Sequence, residues 1–342
     1  IIYISLFGGI QMSNFTHVYF DGLGIDFELP SVAFTVFGYQ IHWYGMIIAF
    51  GFALAVLYGG RKAYKWKMSL DGMTDVLLWG TLFGIICARL YYVAFEWDYY
   101  SVHLSEIPAI WNGGLAIYGG IIGALIGAAI GCKTGKINFL NLLDLGALGL
   151  LIGQGIGRWG NFFNQEAFGT NTDTALFRMW SPKIHDTLEM SAATLAQKGV
   201  TVDPNTPVHP TFLYESVWCL LSFLVLHIVV TYFRKFKGEV FMMYGVLYGL
   251  ERMIVEGMRT DSLYIGSTSI RVSQVLSAVI AAVALVVLVY FFIRLKQNKL
   301  PKALVLDNLD ELEDINKIER EKTKQEKAQR AEKRKARKKG DK

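Results

Sequence analysis

The sequence predicts an all-α integral membrane protein: a bundle of about seven transmembrane helices, N-terminus outside and C-terminus in the cytoplasm. Three observations predict it. Of 342 residues, 53% are hydrophobic and only 18% charged, where soluble domains carry about a quarter. The mean hydropathy is +0.33, and much of the charge lies in the C-terminal tail, so the remainder is too apolar for a water-soluble globule. Apolar runs of roughly 17–25 residues, the length that crosses a hydrocarbon core, recur along the chain, with basic residues on alternate connections.

The chain opens on Ile1, and Met12 ahead of a polar stretch makes a sensible start. Residues 1–11 are therefore expected to lie upstream of the true start. They are too short to span, and no basic region precedes them to mark a signal peptide. Residues 1–40 as a whole are expected to be extracytoplasmic.

The seven expected spans are residues 41–60, 75–95, 114–132, 139–157, 212–233, 239–257 and 271–293. Arg61, Lys62, Lys65 and Lys67 follow the first, Lys133 and Lys136 the third, and Arg234, Lys235 and Lys237 the fifth. Connection 96–113 has no Lys or Arg, and 158–211 is poor in them for its length. The positive-inside rule then fixes the orientation. Gly119, Gly123, Gly127 and Gly131 in the third span, and Gly149, Gly153 and Gly157 in the fourth, recur every four residues. Small residues at that spacing let helix backbones approach closely, so these glycines are assigned to packing. Trp43, Tyr44, Trp97, Tyr99, Tyr100 and Trp111 fall at span ends, where an interfacial aromatic belt sits.

Residues 296–342 are expected to form a charged cytoplasmic tail, solvated and without catalytic role. Its basic end suits anionic lipid headgroups better than nucleic acid. Cys87, Cys132 and Cys219 lie in or beside apolar runs with no metal-ligand spacing. They are assigned to packing, and no metal or cofactor is expected.

Ionisable groups inside spans are costly and mark functional positions by default. Here they are Arg89, Asp144, Glu215, Glu251, Arg252 and Glu256. Arg252 and Glu256, four apart, share a helix face with Tyr248 one turn earlier, and a structural ion pair is the competing explanation. The densest polar segment is GRWGNFFNQEAFG, residues 157–169. Its arginine, amides and carboxylate at the outer interface suit an anionic, oxygen-rich ligand such as a phosphate-bearing headgroup. It is neither a Walker loop nor a dinucleotide fingerprint, and the residues alone do not name a reaction. A transporter would account for buried charges, but transporters favour inverted repeats, and none is visible. A membrane scaffold would not need the polar constellation.

Residues 157–169 resemble the prolipoprotein diacylglyceryl transferase signature GRxGNFxNxExxG. IHWYG (41–45), WNGGLAIYGG (111–120), HPTFLYES (209–216), then Tyr248, RMIVE (252–256) and MRTD (258–261) resemble the same family in the same order. The resemblance covers nearly all of residues 40–295, the expected catalytic membrane domain, and leaves out the tail. It implies a bacterial inner-membrane transferase that moves the diacylglyceryl group of phosphatidylglycerol onto the lipobox cysteine of a preprolipoprotein. A thioether forms and glycerol phosphate leaves, with no cofactor. It implies Arg158 and Arg252 as the residues holding the phosphate, with Glu256 orienting Arg252. Asn161, Glu166, Gly169, Tyr44, Tyr248 and Arg259 are implied as substrate-binding positions. One departure stands out. Many members have a histidine, considered as a base, where this chain has Tyr118; a phenol near pKa 10 is a poor base at neutral pH. Tyr118 is therefore expected to hydrogen-bond the headgroup, with Glu256 or water as another proton route and His42 and His209 as further alternatives. Residues 170–208, polar and outside, are expected to form an insert over the site.

Overall fold

The computed structural model describes residues 15–36, 39–264, 268 and 270–306. The proposed start at Met12 and the tail beyond residue 306 lie outside them. The chain is mostly helical, with two small sheets before and beside the helices. Strand β1 (Phe15–Phe20) turns at Gly22 and Gly24 into β2 (Ile25–Pro30), antiparallel, with Phe20 opposite Ile25. Gly24 takes φ +64°, a conformation glycine adopts without penalty. Strands β3 (Val32–Val36) and β4 (Tyr39–His42) form a second antiparallel pair that runs directly into helix α1 (Trp43–Lys65).

Helix α2 (Leu70–Phe95) is capped by Ser69, whose side chain accepts from Gly72 N. A single helical turn, α3 (Trp97–Tyr100), and a loop lead to α4 (Ile117–Thr134), then α5 (Phe139–Asn164). An outer insert contains β5 (Met179–Trp180), which pairs with β1, and α6 (Pro182–Gln197). Helix α7 (Thr211–Ile228) runs into a π-helical turn, Val229–Phe233. Helices α8 (Glu239–Glu256) and α9 (Val272–Lys296) complete the fold.

Among the described residues, six helices are long and apolar enough to cross a membrane: α1, α2, α4, α5, α7 with its π turn, and α9. The expected sixth span, 239–257, is helical as α8 but carries Glu239, Glu251, Arg252 and Glu256. It is more polar than the six spanning candidates, and it packs inside the bundle on α5, α7 and α9. Outward faces are apolar instead. On α9, Val279, Val283 and Val286 are more than half exposed, an arrangement that water penalises and lipid does not.

The strands of residues 15–42 depart from the helical expectation. FTHVYF and IDFELP place Val18, Phe20 and Leu29 on one face by strand alternation. That face closes over Phe162 at the end of α5 and Phe212 at the start of α7, with Met179, Ile184 and Leu188 from the insert. The N-terminal strands and the insert thus share one apolar core on one end of the bundle.

The α4 glycines do what their spacing predicts. A Cβ built on Gly119, Gly123, Gly127 or Gly131 would run into the α2 backbone at Cys87, Phe83, Trp79 and Val76 respectively. The α5 glycines are looser: a Cβ at Gly149 meets only Ala55, and at Gly153 nothing within 4 Å. Two of the in-span charges are structural. Arg89 donates to the carbonyls of Glu106, Ile107, Gly113 and Gly114 and lies over the Tyr100 ring, so it shapes the loop ahead of α4. Asp144 pairs with Arg234 at 2.7 Å and accepts from Gly238 N and Phe241 N, which caps the start of α8.

Gly127→Leu is expected to force α2 and α4 apart at a cost of about 1–3 kcal/mol, seen as a lowered melting temperature in detergent. Gly153→Ala should leave that temperature unchanged.

Candidate active site

The end of the bundle beneath the strand-and-insert lobe collects the remaining charges. Arg158 and Asn161 lie on the last two turns of α5. Glu215 lies on the first turns of α7, and Tyr248, Glu251, Arg252 and Glu256 on the last turns of α8. Arg259 and Asp261 follow α8, and Tyr44 opens α1.

Glu215 is the hub, with its side chain only 1% exposed. Its Oε2 pairs with Arg158 Nη2 and, at 3.1 Å, with Arg252 Nη1. Its Oε1 faces Arg259 Nη1 at 3.6 Å. Three arginines from three segments therefore converge on one carboxylate. Their own side chains stay 19%, 16% and 11% exposed, for Arg158, Arg252 and Arg259 respectively. Each guanidinium is thus held against Glu215 while part of its side chain stays accessible. That geometry matches an oxyanion with several acceptor oxygens, which arginine grips in a fork.

Each arginine also has a further partner. Arg252 Nη2 pairs with Glu256 at 2.6 Å, four residues on along α8. Glu256 in turn is positioned by Arg271 at the start of α9, which donates to its backbone carbonyl. Arg158 Nη1 donates to Asn161 Oδ1 at 3.3 Å. Asn161 Nδ2 donates to Glu166 Oε1 at 2.9 Å, and Asn164 joins at 3.3 Å. Arg259 forms a two-pronged pair with Asp261 at 2.8 and 2.5 Å. Burial pushes the Asp261 carboxyl up, but the Arg259 contacts outweigh it and hold it below the usual carboxylate range. The Tyr248 ring stacks on Tyr244 at 5.5 Å, and its phenol lies within electrostatic reach of Arg158, Arg252 and Glu215.

The segment after α5 is bent to serve this geometry. Gln165 and Ala167 both take left-handed φ, 50° and 57°, a strained choice for residues with a side chain. The bend turns Glu166 back onto Asn161, and the Thr211 hydroxyl donates to Ala167 O. Gly169 N donates to His209 O, and Gly169 bridges to Arg259. A Cβ on Gly169 would meet His209 Cβ at 2.8 Å. Only glycine lets the α5, α7 and α8 ends come this close.

Tyr44 packs against Gly160, where a Cβ would lie 2.8 Å from the ring. It also lines an open cleft with Gln40, His42, Asn164 and Lys183. Tyr118 stands apart from this group. It is on the first turn of α4, whose main partner is α2, and is 36% exposed. His209 is partly buried beside Tyr214, and burial lowers its pKa, which keeps the ring neutral near pH 7. His185, Asp186 and Glu189 could approach a common cation on the outer surface of α6; none belongs to the arginine group.

The sequence reading placed Arg158, Arg252, Glu256, Asn161, Glu166, Gly169, Tyr44, Tyr248 and Arg259 on functional positions, and all nine lie at this end. It singled out Glu215 and Glu251 only as buried charges. The signal for Glu215 was its place in HPTFLYES, one turn into a span otherwise free of charge.

A family model described as prolipoprotein diacylglyceryl transferase matches residues 31–290. The chain belongs to this family. It is 43% identical over 252 residues to the phosphatidylglycerol–prolipoprotein diacylglyceryl transferase of Finegoldia magna, covering 74% of this chain and 92% of that one. It is 39% identical over 286 residues to the protein of the same name from Lysinibacillus sphaericus, covering 82% and 97%. The Listeria monocytogenes protein is 40% identical over 270 residues, covering 79% and 92%. The matched region contains every residue of the arginine group.

Removing Glu215 leaves three clustered guanidinium groups without the carboxylate they share. Glu215→Ala is expected to cost about 3–5 kcal/mol, read as loss of melting temperature in detergent. Glu166→Ala, at the exposed rim, should cost less than about 1 kcal/mol.

Proposed function

We propose that this chain transfers the diacylglyceryl group of phosphatidylglycerol to the cysteine thiol of a prolipoprotein, the first step of bacterial lipoprotein maturation. The carrying observation is the convergence of Arg158, Arg252 and Arg259 on buried Glu215, with 19%, 16% and 11% of their side chains still exposed. The cysteine sulfur attacks the glyceryl carbon that bears the phosphate ester. The carbon–oxygen bond breaks, a thioether forms, and the thiol proton leaves with the glycerol phosphate. Charge builds on the departing phosphate, where fixed guanidinium groups lower the barrier most. Thiolate is the reactive form of a cysteine whose ordinary pKa is near 8.5, and the same positive field favours it.

In this account Arg158 and Arg252 hold the phosphate, and Glu256 fixes the Arg252 rotamer. Asn161, Glu166 and Gly169 keep the α5 end in shape. Tyr44, Tyr248 and Arg259 border the bound headgroup. Tyr118, on a neighbouring helix, hydrogen-bonds substrate rather than taking its proton. The acceptor is the lipobox cysteine of the signal segment, presented from the membrane.

Helix α8 is the seventh span. Its first turn is capped by Asp144 near the start of α5, and its last turns meet Glu215 near the start of α7. It therefore runs the length of the bundle, with 18 residues that rise about 27 Å. Arg61, Lys62, Lys65, Lys133 and Lys136 lie at the end away from the arginine group. That asymmetry supports the reading in which the site, residues 1–40 and the insert 170–208 face outside and residues 296–342 face the cytoplasm of a bacterial cell.

Purified chain incubated with intact phosphatidylglycerol labelled in its acyl chains and a lipobox peptide should leave label in thioether linkage to cysteine; an unlabelled peptide would refute the transferase. Arg158→Ala and Arg252→Ala should each lower kcat by about 100-fold or more with the protein still inserted. Tyr118→Phe should keep most activity, as should truncation after residue 306. Full loss in Tyr118→Phe would make the phenol the proton acceptor.

A further inference from the structure

Glu251 has no part in the account so far, yet it is among the most anomalous residues in the chain. It is 2% exposed, and neither carboxylate oxygen has a hydrogen-bond partner. Its neighbours are fully specified. From α5 it feels Arg158; from α7, Glu215 and Cys219; from α8, Tyr244, Tyr248 and Arg252; from the following loop, Arg259. The α9 face behind it presents Ser277 and Ala281 against Gly249.

Glu215, Glu256 and Asp261 each have an arginine partner in this cluster, and a fourth carboxyl there could ionise only at a large cost. Glu215 takes the charge: it has contacts from three arginines, whereas Glu251 has no donor at either oxygen. An ionised carboxylate buried without a hydrogen bond costs far more than its neutral acid. Resting on the transferase reading, we propose that Glu251 is a positioning residue held as a neutral carboxylic acid. It fills the space beside Glu215 without adding a fourth negative charge to those of Glu215, Glu256 and Asp261 on the arginines that must receive a phosphate.

A neutral acid suits this site better than an aliphatic side chain of the same size. The acid is polar enough to be accommodated next to Glu215 and the Tyr248 phenol, and neutral enough to leave the positive edge of Arg158 and Arg252 undiminished. An ionised Glu251 would cancel part of the field that grips the substrate and would weaken phosphodiester binding.

Infrared spectra of the full-length protein in detergent at pH 7 test the protonation state without any substrate. The wild type should show a carboxylic-acid carbonyl band that is absent from Glu251→Gln. If the two spectra agree in that region and the variant instead loses carboxylate absorption, the proposal is overturned. Transfer kinetics give a second reading. Glu251→Ala, which empties the space beside Glu215 and lets the arginine group shift, should lower kcat/KM by about tenfold. Glu251→Gln, uncharged and of the same shape, should restore it to within about threefold of wild type. A glutamine as damaging as alanine would mean the ionised form is required and would overturn the proposal. A wild type that shows no transfer would refute the transferase reading alone, and the infrared comparison would still decide the state of Glu251.

Discussion

A single buried carboxylate organises this molecule's working end. Glu215 pairs with Arg158 and Arg252 and faces Arg259, each from a different segment. Like charges so close would repel strongly in a low dielectric, and they stay together because Glu215 sits among them with its side chain 1% exposed. The arginines cannot be moved independently. Glu256, Asn161 and Asp261 restrain their free sides, and Gly169 and Thr211 draw the connecting loops in around them. The result is a rigid positive edge in an apolar body, built before any ligand arrives. Such preorganisation is what a charge-developing transition state needs.

The rest of the bundle holds that edge at a fixed depth. At the opposite end, Asp144 and Arg234 form a second buried pair, with Arg234 stacked over Trp66. It anchors α8 where that helix begins, so the Arg252 end has a defined height. Residues near 304–306 return to pair with the α7–α8 connection, which ties the end of the last span to the same anchor. The α2–α4 pair, zipped by glycines, carries Tyr118 as a separate wall.

Much of this was legible in the sequence. Apolar run length located each spanning helix, because lipid demands uninterrupted helical hydrogen bonding over a set span, but it ended the fourth span at residue 157, where α5 carries Arg158 and Asn161 on as helix to Asn164. The α4 glycines announced a close helix pair by spacing alone. What the sequence did not disclose is pairing. Arg89, Asp144, Glu215 and Glu251 are all single charges in apolar runs, and nothing local separates the loop organiser and the capping acid from the hub. The partners of Arg89, Asp144 and Glu215 lie 17 to 97 residues away in the chain. The strands of residues 15–42 were missed for a related reason. Short alternating segments such as FTHVYF are ambiguous alone, and become strands only because Phe162, Phe212 and the insert supply a surface for their apolar face. Helix α8 shows the limit of hydropathy: its polarity reflects what it faces inside the bundle, not where it lies.

The most direct measurement is an experimental structure determined with phosphatidylglycerol bound. The account predicts that the phosphate oxygens lie within hydrogen-bonding distance of the Arg158 and Arg252 guanidinium groups, on the side away from Glu215. A phosphate bound elsewhere, with both arginines turned wholly toward Glu215 and Glu256, would contradict it.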